Sequence, residues 1–222
     1  METVRIEIEG SAPVTGLLLN PSGAQACFVF AHGAGAGMTQ PFMESVATGL
    51  LERRMATLRY QFPYMEKGSK RPDPPAVAQA AVRAAVAEAA RRCPDVPLIA
   101  GGKSFGGRMT SQAQAKAPLV GVRGLAFVGF PLHPAGKPSE ERARHLDDIR
   151  IPMLFLQGTR DNLAELPLLQ HVTQALGPRA SLILFEQADH SFHVPARSGR
   201  NDRDVMRELI DGLAAWIVRT AV

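Results

Sequence analysis

The sequence predicts an α/β protein built around one mainly parallel sheet. Short apolar runs alternate with amphipathic runs down the chain, the signature of a repeated strand–helix unit. The run Ala26–Ala31 is continuously apolar, which is how a strand covered on both faces reads. The length of 222 residues fits a single domain spanning 1–222 and is ample for a buried core.

Val4–Glu9 alternates with period two and predicts a half-buried strand; Thr15–Asn20 predicts the next, and Pro21-Ser22-Gly23 the turn after it. Ala26–Ala31 is a buried strand, Phe42–Arg54 a helix, and Ala56–Tyr60 a short strand. Gln61–Pro75 is rich in proline, glycine and charge and reads as a loop able to cover part of a site entrance. Alanine-rich Ala76–Arg92 is helical by propensity. Pro97–Gly102 is a strand running into Lys103-Ser104, and Phe105–Lys116 a helix. Gly121–Gly129 is a strand, and Pro131–Arg150 a loop with a short helix at Ser139–His145. Ile151–Gln157, Leu163–Leu176 and Ser181–Glu186 read as strand, helix and strand. Val205, Leu209, Leu213 and Trp216, with Met206, Ile210 and Ile217, form one apolar stripe on a C-terminal helix.

Composition excludes several classes. Hydrophobic residues make up 45% and charged residues 21%, which argues against disorder or a fibre. The net charge of +4 comes from dispersed basic residues without aromatic interleaving, so no nucleic acid is expected as partner. The uncharged stretch Gly10–Met43 is cut by Pro13, Pro21, Gly23 and the Gly33–Gly37 cluster, so no membrane helix is expected there. Two cysteines, Cys27 and Cys93, cannot build a disulfide framework or a cysteine zinc site and read as reduced and structural. With an N-terminus lacking a basic, apolar leader, they point to a cytoplasmic location.

Gly102-Lys103-Ser104-Phe105-Gly106 fits G-x-S-x-G between a strand and a helix. A turn that tight strains the serine backbone and requires neighbours without side chains. It lifts the Ser104 hydroxyl out of the sheet at a helix N-terminus, where free N–H groups favour a developing oxyanion. Two similar motifs fail at a named residue. A phosphate-binding loop ending at Gly102-Lys103-Ser104 needs glycine where Pro97 stands, and a dinucleotide loop starting at Gly33 needs glycine where Met38 stands.

The cluster His32-Gly33-Ala34-Gly35-Ala36-Gly37 follows the Ala26–Ala31 strand and is placed to supply an oxyanion N–H. The expected pair of donors is the amides of Ala34 and Phe105, with Gly35 as the substitute for Ala34. His32 reads as a hydrogen-bonded loop anchor. A serine needs a base oriented by an acid, in the chain order Ser, Asp/Glu, His. Asp161 follows the Ile151–Gln157 strand and His190 the Ser181–Glu186 strand, so Ser104, Asp161 and His190 fall in that order. His193 is the competing base and Asp189 the competing acid; Asp147-Asp148 and Asp202 read as solvated, and His145 and His171 as surface residues. His133 reads as a pocket-lining residue, and Lys103 as either a solvated turn residue or a positive charge beside the nucleophile.

These residues together resemble the α/β-hydrolase superfamily, and more narrowly its small KANL/Tex-like group, related in layout to dienelactone hydrolases. The resemblance rests on His32-Gly33-Ala34-Gly35, Phe62-Pro63-Tyr64, Gly102-Lys103-Ser104-Phe105-Gly106-Gly107-Arg108, Phe130-Pro131-Leu132-His133-Pro134, Gly158-Thr159-Arg160-Asp161 and Ala188-Asp189-His190-Ser191-Phe192. It implies a nucleophile at Ser104, an acid at Asp161, a base at His190, and no metal or organic cofactor. Dienelactone hydrolases use cysteine as nucleophile, and Ser104 departs from that. The subgroup also includes scaffold-like members, so a catalytically silent binding protein is the alternative. The favoured expectation is a serine hydrolase acting on a small-molecule ester or thioester. The short Gly129-to-Ile151 connection leaves no room for a lid domain, so an open site for short or exposed acyl groups is expected.

Overall fold

The computed structural model describes residues 1–221. Eight strands form one sheet: β1 (Glu2–Ile6), β2 (Val14–Leu19), β3 (Cys27–Ala31), β4 (Ala56–Tyr60), β5 (Leu98–Lys103), β6 (Val122–Val128), β7 (Met153–Gly158) and β8 (Ala180–Phe185). Their spatial order is β1-β2-β4-β3-β5-β6-β7-β8. β2 is antiparallel to both β1 and β4, and every other pair is parallel. The helices are α1 (Pro41–Glu52), α2 (Pro63–Glu66), α3 (Pro75–Arg92), α4 (Phe105–Lys116), α5 (Leu166–Leu176) and α6 (Asp202–Ala221).

The uniformly apolar strands are covered on both faces, as their composition predicts. In β3, Cys27, Val29 and Ala31 pack into the core beneath α3, α4 and α5, while Phe28 and Phe30 pack into the core beneath α1 and α6. In β7, Met153 and Phe155 go to the first core, Leu154 and Leu156 to the second. The α6 stripe of Val205, Leu209, Leu213, Trp216 and Ile217 is buried in the second core. Cys27 and Cys93 are free thiols in the first core. They are neighbours: Cys93 and burial hold the Cys27 thiol well above the ordinary thiol range, while Cys27 brings Cys93 below it against the opposing effect of burial.

Several boundaries differ from the sequence reading, each for a local reason. β1 lies at Glu2–Ile6 rather than Val4–Glu9, because the chain leaves its pairing with β2 after Ile6 and turns at Gly10, whose φ is +69°. β7 begins at Met153, beyond Pro152, which has no N–H to give the ladder. α5 begins at Leu166 rather than Leu163: the Asp161 carboxylate holds the Leu163 N–H in a separate turn, and Pro167 opens the helix. The loop 61–75 contains α2, a single turn opened by Pro63. Between β6 and β7 the regular structure is one 3-10 segment, Glu141–Asp148, and no separate lid stands over the sheet among the described residues.

The sheet order places the functional loops. Strand order reverses around β3, with β4 on one side and β5 on the other. Such a reversal opens a crevice at the strands' C-terminal ends. Ala31 pairs in register with Gly102, so the glycine loop after β3 and the Ser104 turn after β5 emerge side by side. Gly158 pairs with Phe185, which sets the loops carrying Asp161 and His190 next to one another.

Candidate active site

The turn at Ser104 is strained in the manner its sequence predicts. Ser104 has φ 50° and ψ −114°, in the positive-φ region that side chains rarely adopt. A Cβ on Gly102 would lie 2.6 Å from the Ala31 carbonyl oxygen, and one on Gly106 would lie 2.5 Å from that same oxygen. Neither position admits a side chain. The Ser104 N–H donates to the Val128 carbonyl at 3.1 Å, tying the turn to the end of β6.

Ser104, His190 and Asp161 meet. The Ser104 Oγ lies 2.9 Å from His190 Nε2, and His190 Nδ1 lies 2.7 Å from Asp161 Oδ2. The Asp161 side chain has 0% exposure against 22% for His190, so the acid is sealed while the imidazole reaches the pocket. Asp161 Oδ1 accepts the Leu163 N–H at 2.8 Å. Both carboxylate oxygens are therefore engaged, which fixes the plane of the group and directs Nδ1–H toward it.

A further residue, absent from the sequence reading, completes that arrangement. Gln157, in β7, is fully buried. Its Nε2 donates to Asp161 Oδ2 at 2.5 Å, and its Oε1 accepts the Phe130 N–H at 2.9 Å. The available signal was one amide in the otherwise apolar strand MLFLQG, four residues before the acid. A buried amide in such a place needs partners for both ends.

The glycine loop is anchored from beneath. His32 is fully buried; Nδ1–H donates to the Gly33 carbonyl at 2.7 Å, and Nε2 accepts the Phe62 N–H at 3.1 Å. Burial lowers its pKa to about 4, so it is a neutral anchor, as its sequence context predicts. The Gly35 N–H is taken by the Tyr64 hydroxyl at 3.0 Å, which removes the substitute oxyanion donor. The Ala34 and Phe105 N–H groups make no hydrogen bond among the described residues.

An open pocket of about 370 Å³ surrounds Ser104 and His190, with Ala34, Phe42, Leu163 and Lys103 among its lining. Loop 61–75 does not line it, contrary to expectation; that loop braces the glycine loop from outside through Tyr64. His133 does not line it either: it is buried, with Nδ1 against the Pro134 carbonyl at 2.9 Å. His193 is exposed and pairs with Asp202 at 2.8 Å, which raises its pKa; the ring against Ser104 is that of His190. Asp202 is therefore partnered, not merely solvated. Asp189 accepts the Ser191 and His193 N–H groups at 2.7 and 3.0 Å and so holds its own loop together. His145 is half-buried, not on the surface, with Nε2 2.7 Å from Ser111 Oγ; burial, and then Arg108, lower its pKa to about 4.

Lys103 is not a solvated turn residue. Its Nζ donates to the His190 carbonyl at 2.5 Å and lies 5.6 and 5.3 Å from the ring centres of Phe42 and Phe192. Burial lowers its pKa to about 8, against the opposing pull of Asp161 and Asp189. Among the described residues there is no cluster of metal-ligating side chains, and no helix is long and apolar enough to cross a membrane.

Comparison with known proteins agrees with the architecture. Dienelactone hydrolase from Anabaena variabilis superposes with a TM-score of 0.79 at 19% identity, covering 100% of this chain and 98% of its own. An α/β serine hydrolase without lid from Xanthomonas campestris gives 0.72 at 18% identity, covering 97% and 95%. The esterase domain of a Rhodothermus marinus protein gives 0.73 at 20% identity, covering 100% and 99%. At these identities the likeness is one of fold. The sequence profile of the α/β-hydrolase domain matches residues 24–218, nearly the whole length, and the chain belongs to that family.

Proposed function

We propose that the protein is a serine hydrolase cleaving an ester or thioester of a small or exposed acyl group through an acyl-enzyme. The observation that carries this is the unbroken contact from Ser104 Oγ through the His190 imidazole to Asp161, at 2.9 and 2.7 Å, opening on one pocket. In the first half-reaction His190 Nε2 takes the Ser104 proton as Oγ attacks the carbonyl carbon. The Ala34 and Phe105 N–H groups receive the oxyanion, each such donor contributing about 2.7–4 kcal/mol to the transition state. Asp161 holds Nδ1–H and stabilises the imidazolium. Collapse breaks the bond to the leaving group, which takes the proton from Nε2. Water then gives its proton to His190 Nε2 as it attacks the acyl-Ser104 carbonyl; the acyl–Oγ bond breaks, Nε2 returns the proton to Oγ, and the acid leaves. Names borne by relatives in fold, serine hydrolase and esterase, support the same class. With no lid among the described residues, the open pocket supports short or projecting acyl groups over long buried chains.

The test is labelling with a fluorophosphonate together with hydrolysis of p-nitrophenyl acetate. We expect labelling at Ser104, and a loss of kcat on the order of 10⁴-fold or more in Ser104→Ala. A folded wild-type protein that neither labels nor hydrolyses the ester overturns the proposal and leaves a binding protein on the same fold.

A further inference from the structure

We infer that Lys103 is a positioning residue for the hydrolysis proposed above, its ammonium tying the main chain of His190 to the strand that carries Ser104. β5 and β8 are separated in the sheet by β6 and β7. The imidazole must therefore be held in register with a hydroxyl three strand positions away. The His190 loop is held internally by Asp189, through the N–H groups of Ser191 and His193, and to the β7 side by the Arg160 N–H on the Ala188 carbonyl. Lys103 spans to β5: its Nζ donates to the His190 carbonyl at 2.5 Å. A Cβ on Gly129 would lie 3.0 Å from that Nζ and 3.4 Å from His190 Cε1 and Nδ1. The ammonium and the edge of the imidazole thus rest against the same glycine at the end of β6. The rings of Phe42 and Phe192, at 5.6 and 5.3 Å, flank the charge. Rings at that distance attract a cation, and a charged donor makes a bond roughly twice as strong as a neutral one.

The clamp therefore depends on protonation. The charged groups acting on Lys103 are Asp161 in the loop after β7 and Asp189 in the loop after β8, and both favour the ammonium. α1 presents Phe42, the end of β6 presents Gly129, and His190 presents its carbonyl. Burial outweighs the two acids and brings the pKa down to about 8. Below that pH the clamp is charged. Above it, charge assistance and the attraction of the rings are lost, the His190 loop loosens, and Ser104 loses its aligned base.

The experiment measures the rate of fluorophosphonate labelling of Ser104 from pH 6 to 10, with lysine-selective 13Cε NMR on the same samples. In the wild type we expect the rate to fall several-fold with a midpoint near pH 8, coincident with a lysine signal that Lys103→Met removes. Lys103→Met should label about ten-fold more slowly at pH 7 and show no alkaline midpoint. Lys103→Arg, charged throughout, should retain most of the rate and lose the midpoint within this range. A wild-type rate flat to pH 10, or a Lys103→Met profile with the midpoint unchanged, overturns the inference. A wild type unlabelled at every pH sinks the hydrolase reading, and NMR then judges the clamp alone. A Lys103 signal titrating near pH 8 and shifting the His190 ring resonances supports it, and one titrating near 10.5 overturns it.

Discussion

At the residue scale, Gln157 distinguishes a precise site from a loose one. One buried amide serves Asp161 and the Phe130 main chain, so its loss leaves both an acceptor and a donor underserved. An unsatisfied buried polar group costs about 1–3 kcal/mol. Gln157→Leu should therefore lower kcat on p-nitrophenyl acetate roughly 10–100-fold with KM little changed, since pre-organisation and not substrate contact is lost. Unchanged kcat in a variant with normal thermal unfolding would show that Asp161 needs no such support. Ser104 was legible because a strained turn between bulky neighbours is sterically impossible, and only glycine removes the clash with the Ala31 carbonyl. Gln157 and Lys103 were not, because nothing local in MLFLQG or in the turn says which backbone each side chain will meet.

At the element scale, α2 matters more than its single turn implies. It lay hidden in a proline-rich segment whose composition reads as loop, yet it presents Tyr64 to the glycine loop. The hydroxyl accepts the Gly35 N–H, while Phe105 and Phe62 pack around the ring, with centroids 6.4 and 6.3 Å away. Tyr64→Phe keeps that packing and removes one hydrogen bond, worth about 1 kcal/mol. We expect kcat to fall several-fold, the neighbouring Ala34 amide being less firmly held, with the unfolding midpoint lowered by only a few degrees. Steady-state kinetics beside a thermal melt checks this, and a variant with wild-type kcat would remove α2 from the account of the site. The long helices were legible from their apolar stripes, whereas their first residues were decided by capping: Gln40 accepts the Phe42 N–H at the start of α1, and Asp161 delays α5.

At the scale of the whole molecule, the glycine loop rests on one buried neutral histidine, and a second, half-buried one joins the Glu141–Asp148 segment to α4. His32 is held at a pKa of about 4 by burial, against about 6.5 in an unfolded chain. Its folded pKa is depressed, so its contribution is fully present above pH 6.5 and is lost as pH falls through 4, because the unfolded chain takes up the proton first. That difference is on the order of 3 kcal/mol for His32. His145 acts in the same direction over the same window. The melting temperature should therefore fall steadily from pH 6.5 to pH 4, and His145→Gln, which keeps a polar group near Ser111, should flatten part of that slope. A melting temperature constant across this window would contradict neutral burial of both rings.

The sequence by itself determined the alternation of strands and helices, the two-sided burial of β3, and the glycine-bounded turn at Ser104. Each is dictated by periodicity or sterics within a few residues. The order of Ser104, Asp161 and His190 was equally readable, each lying just past an apolar strand. Tertiary structure alone decided that the three make contact, that Gln157 and Lys103 hold two of them, that Tyr64 takes the Gly35 amide, and that Cys27 and Cys93 share one core. These are consequences of strand order and register, set by how two cores pack against opposite faces of one sheet, and no stretch of chain encodes them separately.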